Sequence, residues 1–104
     1  MGTPWENFIN GVNILASTDD PLKQRLINAY CEYISLTSPA ELPLDIQKKF
    51  EEIGKELTKL DSVDNKGKIQ ATIKAMSTAR VSEIAEEFVS MFGKIASYEE
   101  WYCN

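Results

Sequence analysis

Three short phrases punctuate the first part of this chain: Thr3-Pro4-Trp5-Glu6, Asp20-Pro21 and Ser38-Pro39-Ala40-Glu41. Each has the chemistry of a helix start. A Ser, Thr or Asp oxygen at the N-cap accepts from backbone N–H groups that the first turn leaves without partners. A proline at the first helical position loses nothing, because its N–H would have been an orphan anyway. The first and third phrases add a glutamate at the third helical position, the reciprocal half of a capping box. A chain punctuated in this way is committed to short helices joined by tight turns.

Apolar spacing fills in the helices. Trp5, Phe8, Ile9, Val12, Leu15 and Ala16 recur at three- and four-residue steps and predict a helix over 4–16. Gly11 sits on the edge of that stripe, where it marks a close helix crossing. A second helix over 21–35 turns Leu22, Leu26, Ala29, Tyr30, Tyr33 and Ile34 inward. Pro43 follows Ser38-Pro39 too closely for one continuous helix, so a short turn near 39–42 precedes a helix over 43–60. Its seam, Ile46, Phe50, Ile53, Leu57 and Leu60, is a heptad pattern too short for an extended coiled coil. Asp61 to Gly67 is polar and turn-forming, the best candidate for a mobile loop. A helix over 68–76 uses Ile69, Ile73 and Met76. Ser77 caps a last helix over 78–98, whose broad apolar set from Val81 to Ala96 implies more than one packing neighbour. No segment alternates with period two and no linker divides the chain. The expectation is an all-α fold: one bundle of about five helices in a single domain over 1–104.

Composition narrows the function classes. The 104 residues are 43% hydrophobic and 26% charged, which is globular rather than disordered. No apolar run approaches the roughly 20 residues that span a bilayer, and the N-terminus lacks the pattern of a signal peptide, so the expected location is the cytoplasm. A net charge of −5 argues against generic nucleic-acid binding, which neutralises phosphates with Lys and Arg. The acids concentrate late: Glu83, Glu86, Glu87, Glu99 and Glu100 face only Arg80 and Lys94 after residue 77. Such an acidic helix suits a protein partner with a basic surface, and equally serves solubility. Cys31 and Cys103 are read as free thiols, Cys31 as a small buried hydrophobe.

There is no histidine. That removes His-based acid–base chemistry, the Ser–His and Cys–His nucleophile pairs, and the commonest transition-metal ligand. Asp61 to Gly67 fails as a calcium loop, because Val63 and Thr72 stand where oxygen ligands belong. No phosphate-cradling glycine loop occurs. No cofactor or metal is expected. Tyr98, Trp101 and Tyr102 cluster near the C-terminus, and aromatics of this kind either pack back on a bundle or anchor a partner. Together with Glu83, Glu86 and Glu87 they form the candidate partner-binding residues, and Tyr30 and Tyr33 would extend that patch.

Two resemblances bear on function. Glu51-Glu52-Ile53-Gly54-Lys55-Glu56 resembles the paired-glutamate helix of the MazG-like nucleotide pyrophosphatases. That likeness implies a magnesium-dependent hydrolase using Glu52, Glu56, Glu83 and Glu87. Arg25-Leu26-Ile27-Asn28-Ala29-Tyr30 and Leu42-Pro43, with Phe50 and Leu57 downstream, resemble short bacterial and phage all-helical proteins with no assigned activity. The leading expectation is a non-enzymatic protein-binding module: an adaptor, regulatory subunit or inhibitor of a larger bacterial or phage-targeted complex. The nucleotide hydrolase and a structural homodimer are the alternatives.

Overall fold

The computed structural model describes residues 3–60 and 65–103, with the backbone alone given for Asn65 and for residues 98–103. Five helices follow in order: α1 (Pro4–Ser17), α2 (Leu22–Glu32), α3 (Leu44–Leu57), α4 (Asn65–Ala75) and α5 (Thr78–Cys103). Two 3-10 turns, Ile34–Leu36 and Pro39–Glu41, join α2 to α3. No strand occurs among the described residues. The chain is an all-α bundle.

Of the three phrased starts, only the first closes as a capping box. Thr3 Oγ1 accepts from the Glu6 N–H at 3.2 Å, and Glu6 Oε1 accepts from the Thr3 N–H at 3.1 Å. At the second, Pro21 itself takes the N-cap and no side chain caps α2. Asp20 instead offers its carbonyl to Arg25 Nε at 2.8 Å. At the third, Ser38 makes no capping bond and the turn ends after three residues. Ser77 does cap α5, accepting from the Arg80 N–H at 3.1 Å.

Helix ends shift for local reasons. The second helix stops at Glu32 rather than Ser35 because Tyr33 leaves helical geometry, at φ −132° and ψ −58°. Ile34 then swings, fully buried, toward Gly11, where an added Cβ would lie 2.5 Å from Ile34 Cγ1. Gly11 is therefore a notch that Ile34 fills. α3 ends at Leu57 and leaves Leu60 43% exposed. α4 starts at Asn65, so Asn65 to Gly67 are helical, and the remainder of the expected loop, 61–64, lies outside the described residues. α5 continues to Cys103, past the expected end at Tyr98.

The buried face of α1 is also rotated from the expected stripe. Asn7, Phe8, Gly11 and Leu15 are buried, Ile9 and Val12 are half-buried, and Ala16 is exposed. Asn7 is tolerated inside because its Nδ2 donates to the buried Thr37 Oγ1 at 3.2 Å. Arg25 ties α1 to α2 by donating from Nη1 to the Leu15 carbonyl at 2.6 Å, a cation placed on the C-terminal end of α1.

Four helices each send one ring to the centre. Phe8 tilts on Phe50 at 5.9 Å and meets Phe88 edge-on at 6.2 Å, while Tyr30 stacks on Phe88 at 5.7 Å. Contacts of this type add roughly 0.5–1.5 kcal/mol each beyond the area they bury. Around them pack Leu26, Ile27, Ile53, Leu57, Ile73 and Ile84, all at or near zero exposure.

Candidate functional site

Side-chain partners set the helix directions. Leu15 lies beside Arg25 and Asn7 beside Thr37, so α1 and α2 with its following turn run antiparallel. Lys23 Nζ donates to the Lys74 carbonyl at 3.0 Å, which brings the start of α2 beside the end of α4. Three ion pairs then align α3 and α5 in opposite directions: Asp45 with Lys94 at 3.7 Å, Lys49 with Glu87 at 3.2 Å, and Glu56 with Arg80 at 2.6 Å. The signs read minus, plus, minus down α3 and plus, minus, plus up α5. Each pattern reads the same from either end, so the opposed direction is shown by which residues meet and not by the order of the signs.

Arg80 is the best-held member of this ladder. Its Nε and Nη2 donate to both oxygens of Glu56, and Nη1 reaches Glu83 at 3.4 Å. The bidentate contact holds the Glu56 carboxyl below the usual carboxylate range, with burial working the other way. Lys49 meets one oxygen of Glu87, while the other oxygen is shielded from solvent and has no hydrogen-bond partner. Between the Asp45–Lys94 and Lys49–Glu87 pairs lies a groove lined by Ile46 and Met91.

The ladder fixes where the predicted site residues fall. Glu87 is engaged across the seam by Lys49 of α3, whereas Glu83 is largely exposed and pairs with Arg80 on its own helix. Glu86 is exposed on the outer side of α5. The four glutamates of the hydrolase alternative are distributed accordingly: Glu52 is exposed, Glu56 and Glu83 both hold Arg80, and Glu87 holds Lys49. Among the described residues no group of three or more His, Cys, Asp or Glu is placed to hold a metal.

Tyr98, Trp101 and Tyr102 lie on the helical continuation of α5, and their side chains are outside the described residues, as is that of Cys103. Their place along the bundle is set all the same. The Asp45–Lys94 pair puts the start of α3 level with Lys94. Residues 95–103 therefore run on beyond that level, about 13 Å of helix at 1.5 Å per residue. At that level Leu44, the first residue of α3, is 85% exposed. Leu44 was not among the expected site residues. It reads as the first apolar residue of a helix, and only the tertiary placement shows that it faces out.

Tyr30 does not extend that end, and Tyr33 is half-buried at the C-cap of α2. Tyr30 is buried in the ring cluster, its hydroxyl close over Gly54, and burial pushes its pKa up. Cys31 is half-buried against the core, and burial raises its thiol pKa, with Lys66 opposing the shift. It is held in the thiol form, which suits a packing role. No helix among the described residues is long and apolar enough to cross a membrane.

No protein-family model matches this chain, and no curated protein or solved structure shows significant similarity to it. Function must be argued from the surface.

Proposed function

We propose that this protein is a non-enzymatic, cytoplasmic protein-binding module, an adaptor, regulatory subunit or inhibitor that acts by docking on a larger complex. One observation carries the reading: α5 continues to Cys103, past the level at which α3 begins. Helices in proteins owe most of their stability to packing of an apolar face. Ile95 at the base of this continuation is still buried in the core, and the residues after it run past the start of α3, the helix to which α5 is ion-paired. The continuation also contains Tyr98, Trp101 and Tyr102, residue types that dominate binding hot spots. Exposed Leu44 at the start of α3 widens the apolar surface.

The charge there favours a cationic partner. Glu99 and Glu100 have no Lys or Arg among residues 95–104 to offset them. Glu86 adds an exposed carboxylate farther down α5, whereas Glu87 serves the α3 seam and Glu83 is paired with Arg80 of its own helix.

Affinity capture from the native host tests the reading with the wild type and a Trp101→Ala/Tyr102→Ala variant. The expected result is a discrete partner that the variant loses while its thermal melt stays within a few degrees of wild type. A partner retained equally by both removes the end of α5 as the anchor. A wild type that captures nothing, and self-associates through the same residues in light scattering, replaces this reading with the homodimer.

A further inference from the structure

Helix α3 stands apart from the rest of the bundle in how it is held. The backbones of α1, α2 and α5 approach one another closely, whereas α3 comes close to α4 and the second 3-10 turn and reaches α5 through long charged side chains. Three grooves border it. One separates it from α5, over Ile46 and Met91. A second separates it from the end of α2 and the following turns, between Tyr30, Thr37, Pro39 and Gly54. A third lies at its C-terminal end, between Glu56, Leu60, Thr72 and Met76.

The connection on its N-terminal side is suited to a hinge. Pro43 takes the N-cap of α3 with no side-chain cap, and Pro39 opens a turn of three residues that also lacks one. Gln47 Nε2, donating to the Pro39 carbonyl at 2.7 Å, is a single bond from α3 back to that turn. The underside of α3 is nonetheless fully apolar, with Ile46, Phe50, Ile53 and Leu57 all buried and Phe50 against Phe8. That underside opposes opening, whereas the sparse backbone contact of α3 with α1, α2 and α5, its grooved borders and its polar latches favour it.

We infer that α3 is a hinged lid: it opens as a unit about the Pro39–Pro43 segment, latched shut by its ion pairs to α5, and baring an apolar seam that includes Phe8. The Glu56–Arg80 pair is the main latch, because it alone is bidentate. The Lys49–Glu87 and Asp45–Lys94 pairs are half exposed and add less.

Amide hydrogen exchange on the full chain tests this, with intrinsic rates divided out. Amides of Phe50 to Leu57 should exchange at least about tenfold faster than those of Phe8 to Leu15, the signature of an opening below global unfolding. Raising salt to about 1 M, where charges are screened beyond about 3 Å, should speed α3 a further threefold to fivefold and leave α1 unchanged. Glu56→Gln should do the same at low salt. Equal rates in α1 and α3 overturn the lid, as does a parallel acceleration of both helices. A fast α3 that ignores salt and Glu56→Gln overturns the latch.

Discussion

Arg80 and Glu56 meet as a two-pronged pair across the α3–α5 seam, Nε to Oε2 at 2.8 Å and Nη2 to Oε1 at 2.6 Å. The pair depresses the Glu56 pKa in the folded state. A depressed carboxylate contributes stability that is complete above its unfolded pKa of about 4.3 and disappears as pH falls through the folded value. Both side chains are nearly a third exposed, so solvent screening keeps the contribution to about 0.5–1 kcal/mol. Urea melts should show wild type more stable than Glu56→Gln by that amount at neutral pH. The gap should narrow as pH falls below about 4.3, the range in which the unfolded carboxylate is already protonated.

Two glycines on neighbouring helices should answer alanine in opposite ways. At Gly11 a Cβ would lie 2.5 Å and 2.7 Å from side-chain carbons of Ile34, which is fully buried and has nowhere to go. Gly11→Ala should cost roughly 1–3 kcal/mol despite alanine's better helix propensity. At Gly93 an added Cβ meets nothing within 4 Å. Gly93→Ala should therefore gain about 0.5–1 kcal/mol. Thermal melts of the two variants beside wild type suffice.

Asn7 and Thr37 are the buried polar pair, each 4% exposed. Thr37→Val strands the Asn7 amide and should cost about 1–3 kcal/mol, the range for a buried group left without its partner. Asn7→Leu/Thr37→Val removes both groups and should recover part of that loss. A double-mutant cycle in denaturant that finds the two changes additive would refute the coupling.

Glu87 carries a different imbalance, with one oxygen on Lys49 and the other buried alone. Methionine keeps the length of the side chain and removes the desolvated oxygen, while Lys49 remains half exposed and hydrated. Glu87→Met should raise stability by about 0.5–1 kcal/mol, since breaking a screened pair loses little and relieving a buried unpaired oxygen gains more. A lower melting temperature than wild type would show that the pair outweighs the orphan.

What the residues revealed on their own was governed by local rules. Ile46, Phe50, Ile53 and Leu57 were legible as a seam because helical spacing alone puts them on one face, and all four are buried. Thr3 and Ser77 were legible as caps because their partners are three residues away. Asp20 failed as a cap because Pro21 took that position, and Leu60 left the seam because the helix ended first. Asn7 and Thr37 are polar types that usually lie at the surface, and only a partner 30 positions away allows them inside. The charge ladder was hidden for the same reason, since a run such as Lys48-Lys49 looks like any solvated face until the opposing helix is in place. At the candidate binding end, the aromatic residue types were visible in the sequence. Their position beyond the start of α3 followed only from the Asp45–Lys94 alignment.

The chain has two tryptophans, and only Trp5 is described as packed against the core. Replacing Trp101 therefore leaves a molecule whose indole emission comes from one ring, seated near the start of α1 beside the aromatic cluster. The variant made to probe binding becomes an optical gauge of the interior, able to report by colour and quenching whether that end of the bundle loosens.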